Sequence, residues 1–175
     1  ATPTFLHAEM VVEAAKAKKN IFCEKPLALS NEDAQLMAQA IQENKVKSMV
    51  GHVLRFWPEY IRAKEILDSG MVGEPLTIFC ERLGVLPDWA EGGWNKQANL
   101  SGGAALDLQI HDLDFIAYLL GEPSMVSSSG VFNPDLGGWA HMNTVVNFKN
   151  GKIGAVNAGW IVKGKFPFSI LFRIF

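Results

Sequence analysis

Short apolar segments alternate with amphipathic stretches at the start of the chain, and that rhythm limits the fold more than any other feature. Over residues 7–18, Met10, Val11, Ala14 and Ala15 recur at helical spacing. Residues 20–23 (Asn-Ile-Phe-Cys) follow as a buried strand. Ser30, with Asp33 three positions on, resembles a capping box ahead of the stripe Ala34, Met37, Ala38 and Ile41. Residues 48–53 supply the next strand. Strands joined by helices of this length require right-handed crossovers, so the spacing predicts the latter part of a parallel, Rossmann-type sheet.

Beyond residue 53 the texture changes. Pro58 suits a helix's first turn and Gly70 its end, with Tyr60, Ala63, Ile66 and Leu67 as the apolar face between them. A strand is predicted over 76–83, a loop rich in Gly, Trp, Asp and Asn over 84–99, and one long helix over 101–120. Strands then dominate: 126–132, 143–148, 152–160 and 168–174. Asn150-Gly151 between two of them points to a type I′ hairpin, which needs φ > 0 at both central residues. The expectation is an α/β protein divided into 1–53, the remainder of a Rossmann domain, and 54–175, an α/β domain with a mixed, largely antiparallel open sheet.

Charge and cysteine usage remove several function classes. The net charge is −2 and no five like charges adjoin, which argues against nucleic acid or an anionic membrane as partner. The densest basic stretch, Lys16, Lys18 and Lys19, reads as a solvated helix end. Cys23 and Cys80 match no metal spacing and no disulfide framework; two buried free thiols favour a reducing, cytoplasmic compartment. No apolar run reaches the roughly 18 residues of a membrane span.

Chemistry concentrates in two places. In the predicted 101–120 helix, Leu106, Ile110, Leu113, Ala117 and Leu120 form an apolar stripe, and Asp107, His111, Asp114 and Tyr118 run beside it. Residues four apart on an α-helix share a face, so Asp107 is expected to orient His111 and raise its basicity, as a general base requires. Alone, Asp-x-x-x-His is weak; the preceding Ser101-Gly102-Gly103, which lets a ligand approach the helix start, strengthens it. The second place is Cys23-Glu24-Lys25-Pro26, just beyond a strand of the βαβ part, where ligands of open α/β sheets bind. A partly desolvated lysine there can stabilise a developing alkoxide.

Glu-Lys-Pro at a strand end, then Arg55-Phe56-Trp57-Pro58, then a Gly-Gly segment bearing Asp-x-x-x-His-x-x-Asp, together resemble the Gfo/Idh/MocA oxidoreductases over nearly the whole chain. The opening Ala1-Thr2-Pro3-Thr4 with His7 is similar to that family's turn after the fourth Rossmann strand, and residues 68–75 to its link into the second domain. The resemblance implies hydride transfer between NAD or NADP and a secondary alcohol of a sugar, inositol or related polyol. It gives Lys25, Asp107 and His111 the catalytic roles. Thr2, Pro3, His7, Glu24, Lys25, Arg55 and Trp94 would lie along the cofactor; no metal is implied. It also implies a homo-oligomer formed through the open sheet face. Two alternatives stay open: a relative that uses the oxidation only transiently, as NAD-dependent glycosidases do, and a non-catalytic assembly module.

The chain departs from the pattern in three respects. No Gly-x-Gly-x-x-Gly is present, and the chain is expected to be a fragment at both ends. Lys18 stands where a helix-ending glycine is usual, which costs of order 1 kcal/mol if the position is left-handed. Gln109 replaces a glycine between the Asp and the His, and is expected to bear on substrate specificity.

Overall fold

The amphipathic stripe Val11, Ala15, Met37 and Ile41 finds its partner in a small parallel sheet, and this sets the first layer of the molecule. The computed structural model describes residues 2–86, 88 and 90–175. Helix α1 (His7–Lys16) leads to strand β1 (Ile21–Cys23), helix α2 (Asn31–Asn44) and strand β2 (Ser48–Val50). β1 and β2 pair in parallel, Ile21 against Ser48 and Cys23 against Val50, as the crossover argument requires. Ser30 caps α2: its Oγ accepts the Asp33 N–H at 3.1 Å. Replacing Ser30 with alanine is expected to cost about 1 kcal/mol, readable as a lowered midpoint in urea. Lys18 does sit in the left-handed region, at φ 58, and its Nζ donates to Asn44 Oδ1 at 2.8 Å, tying the end of α1 to that of α2.

Helix α3 (Pro58–Asp68), with Pro58 in its first turn, leads into strand β3 (Thr77–Leu83). Strands β4 (Pro123–Asn133), β5 (Gly138–Phe148), β6 (Ile153–Gly159) and β7 (Ser169–Ile174) complete a five-stranded sheet in the order β4-β5-β6-β3-β7. β3 lies parallel to β6; every other pairing is antiparallel. The β5–β6 hairpin forms where predicted, but not with a type I′ turn. Gly151 is left-handed at φ 82 and Asn150 is not, so the loop is a three-residue connection with a single αL glycine.

The predicted 101–120 helix is three pieces. Helix α4 (Ala98–Ser101) ends at Gly102 and Gly103, both left-handed at φ 82 and 64. A Cβ on Gly102 would come within 2.5 Å of Leu106, and one on Gly103 within 3.1 Å of the Trp139 carbonyl, so the chain turns here only because both lack side chains. A π turn, Ala105–Gln109, follows and runs straight into helix α5 (Ile110–Leu120). α5 lies on one face of the sheet: Ile116 and Leu120 pack on Ile78, Cys80, Val156 and Ala158. Phe115 meets Tyr60 of α3 at 4.8 Å and Phe172 of β7 at 5.5 Å, each edge to face. Among the described residues no helix is long and apolar enough to cross a membrane.

Candidate active site

Lys25, just past β1, and the π turn ahead of α5 converge although far apart in sequence. Lys25 Nζ donates to both the carboxylate Oδ1 and the backbone oxygen of Asp107, each at 2.6 Å. The pair is largely shielded, the two side chains being 19 and 23% exposed. This corrects the sequence expectation, in which Asp107 orients His111. The Asp107 carboxylate is taken up by the Lys25 ammonium, which reaches it from the segment after β1, and no hydrogen bond joins it to His111 among the described residues. Asp107 therefore holds the lysine, and His111 Nδ1 is buried without a hydrogen-bond partner among the described residues.

The electrostatics follow from that arrangement. Burial pushes the His111 imidazole down from 6.5 to about 3, and the charges of Lys25, Arg82 and His52 push in the same direction. His111 is thus a neutral imidazole at physiological pH, able to accept a proton, and the expected rise in its basicity is absent. Because the unfolded chain takes up this proton below 6.5 and the folded one only near 3, stability should fall as pH drops through that window. Urea unfolding across it should show a shallower acid slope in His111→Gln; an unchanged slope would contradict the buried neutral imidazole.

Two cavities meet at the Lys25–Asp107 pair. One, of about 370 Å³, is lined by Lys25, Asp107 and His111, with Arg82, Trp57, Trp160 and Phe168 among its walls. The other, of about 620 Å³, is lined by Thr2, Pro3, Thr4, Glu24, Lys25, Glu91, Trp94 and Asp107. Of the predicted cofactor residues, Thr2, Pro3, Glu24, Lys25 and Trp94 therefore come together. His7 and Arg55 do not join them. Both ring nitrogens of His7 face backbone oxygens, Nδ1 to Pro26 at 2.9 Å and Nε2 to Thr2 at 3.1 Å, so the ring secures the turn instead. It borders a separate cavity of about 290 Å³ with Thr2 and Glu24. Arg55 is held by Asp114, Nε to Oδ2 at 2.8 Å and Nη2 to Oδ1 at 2.6 Å, with its guanidinium 4.6 Å from the Tyr118 ring centre. Ala1, Pro87 and Trp89 lie outside the described residues.

Gln109 turns away from the cavities. Its Nε2 donates to the Met142 and Val156 carbonyls at 3.2 and 3.1 Å, and its Oε1 accepts from Thr144 Oγ1 at 2.9 Å. Every polar atom of this 2% exposed side chain is used to fasten the π turn to β5 and β6, so it does not reach substrate as expected from its place beside His111. The sequence reading missed His52 and Arg82. Arg82 carried a signal: it shares the inward parity of Ile78 and Cys80 on β3, and a charge at a core-facing strand position needs a buried partner. Among the described residues no cluster of ligands that could hold a metal ion occurs.

Comparison with known proteins identifies the family. Residues 60–174 match the model of the GFO/IDH/MocA C-terminal domain. Residues 1–52 match that of an oxidoreductase family with an NAD-binding Rossmann fold. The chain is 41% identical over 131 residues to 2,7-anhydro-N-acetylneuraminate hydratase of Escherichia coli, covering 74% of this chain and 35% of that protein. It is 35% identical over 165 residues to scyllo-inositol 2-dehydrogenase (NAD(+)) of Bacillus subtilis, covering 90% of this chain and 46% of that one. The solved structure of levoglucosan dehydrogenase in complex with NADH superposes with a TM-score of 0.88 at 30% identity, covering 99% of this chain and 50% of the other. The chain thus spans between a third and a half of these relatives. With both family models matched in order along the chain, the chain belongs to the Gfo/Idh/MocA family of oxidoreductases.

Proposed function

We propose that the protein containing this chain is an NAD(P)-dependent dehydrogenase acting on a secondary alcohol of a sugar, inositol or related polyol. The observation that carries the reading is that Lys25 and Asp107 line both cavities while His111 lines only one. A cofactor ring in the larger cavity and an alcohol in the smaller would meet at this pair. The larger cavity suits a nicotinamide: it has the aromatic face of Trp94, the Thr2–Pro3 turn and carboxylates able to accept from a carboxamide. When bound, the nicotinamide supplies a hydride acceptor or donor. His111 takes the hydroxyl proton of the alcohol as its C–H bond is broken, and the Lys25 ammonium stabilises the oxygen as it becomes a carbonyl. Asp107 positions that ammonium. The sequence contains no Gly-x-Gly-x-x-Gly, so these residues account for the nicotinamide end alone.

Incubation with NAD or NADP and a panel of inositols and sugars tests the reading. Reduced cofactor accumulating together with a keto product supports it. Conversion of a substrate by addition or loss of water, with no net change in the cofactor, would replace it by the transient-oxidation alternative. One observation favours that second reading: the 41% identical relative is named a hydratase.

The remaining expectations join the proposal. The division falls at 53/54. The sheet face opposite α5, carrying Phe79, Ala155, Val145 and Leu171, pairs with a second copy; Val145 is 42% exposed in the single chain. The two buried, unpaired cysteines suit a reducing cytoplasm.

A further inference from the structure

Arg82 is 2% exposed, yet it borders the same cavity as His111. Its Nε donates to Asp112 Oδ2 at 2.7 Å; its Nη2 donates to Asp112 Oδ1 at 2.9 Å and to the Tyr60 hydroxyl at 3.4 Å. These bonds use three of the five guanidinium hydrogens. The two on Nη1 have no partner among the described residues. Donors of a buried cation are rarely left unspent, and this pair belongs to a residue that walls a cavity.

The cavity's charge points to what they meet. Its lining carries two cations, Lys25 and Arg82, and one carboxylate, Asp107; the Asp112 carboxylate is not part of the wall. Lys25 from the segment after β1, His52 from that after β2 and Arg82 from β3 act on His111 in one direction, and Asp107 of the π turn shares the cavity wall with it. Trp57, Trp160 and Phe168 offer flat apolar walls to a ring's C–H face. A guanidinium can serve two carboxylates from its two sides.

We propose that Arg82 is a substrate-contacting residue and that the preferred substrate is a carboxylate-bearing sugar, its reacting hydroxyl at His111 and Lys25 and its carboxylate on Nη1 of Arg82. Only the assignment of the reacting hydroxyl rests on the dehydrogenase reading. A bound carboxylate would oppose the cations around His111 and raise its proton affinity, so that the substrate itself readies the base.

Calorimetric titration of the NADH-loaded protein with three hexuronates, their uronamides and the parent hexoses tests this without turnover. At least one hexuronate should bind about tenfold or more tightly than both its hexose and its uronamide, the effect of a charge-assisted hydrogen bond. In Arg82→Lys, which keeps a cation beside Asp112, that preference should vanish while hexose affinity stays. Equal binding of acid, amide and hexose in the unaltered protein would overturn the proposal, as would equal weakening of all three in Arg82→Lys. A protein that prefers the acid but never reduces NAD would uphold this inference and sink the dehydrogenase reading.

Discussion

His111→Asn lowers the rate of alcohol oxidation by about two to four orders of magnitude while leaving NADH binding unchanged. The imidazole borders the smaller cavity and not the larger, so its loss removes a proton acceptor without touching the cofactor surface. Its Nδ1 has no hydrogen-bond partner among the described residues, so substitution strands no described partner of that atom. The loss should fall on kcat more than on KM, because proton removal is a transition-state interaction. Stopped-flow single turnovers check it, with cofactor binding read from fluorescence in the same variant. A rate within tenfold of the parent would mean that another group takes the proton. A module used only for assembly would keep its oligomeric state and show no rate to lose.

Arg82→Met should destabilise the protein by about 3–5 kcal/mol. Asp112 is 1% exposed and, among the described residues, its two oxygens accept from Arg82 alone, so removing the guanidinium leaves a buried carboxylate uncompensated. For a domain of this size that is a fall in melting temperature of roughly 6–20 °C. The double change Arg82→Met with Asp112→Leu should recover most of the loss, because a well-packed apolar pair is often as stable as a buried ion pair. If Arg82→Met alone costs under 1 kcal/mol, water reaches Asp112 and the site is wetter than the geometry indicates. The stability measurement also separates the structural service of Arg82 from its proposed substrate contact, since Arg82→Lys retains the first.

Local chemistry was legible in the sequence, and so was element order. The Ser30 cap, Pro58 at a helix start and the Asn150-Gly151 hairpin all stand where the residues put them. Geometry that depends on tertiary contacts was not legible. The stripe Leu106, Ile110, Leu113 continues smoothly into α5, and nothing in it announces that residues 105–109 form a π turn; that turn is fastened by Gln109 to strands made later in the chain. The Asp107–His111 pairing failed because Lys25 takes the carboxylate, and that bond, a tertiary contact between residues 82 apart, had no local signal. The motif residues Lys25, Asp107 and His111 nonetheless line one cavity, because the resemblance depends on their order and not on which of them touch. Arg82 was recoverable from strand parity. The role of Trp57, Trp160 and Phe168 as cavity walls was not, since aromatics at such spacings fill cores just as well.

The place of β3 has a consequence for how the chain is made. It is a central strand, with β6 on one side and β7 on the other, so Thr77 waits for Ile153 and Leu83 for Ser169. At ordinary elongation rates the ribosome needs on the order of ten seconds to deliver them. Through that interval a nascent strand with Ile78, Phe79 and Cys80 has both backbone edges bare. Translation speed between β3 and β6, and a holdase to shelter that edge, should therefore govern soluble yield more than any single contact in the finished molecule.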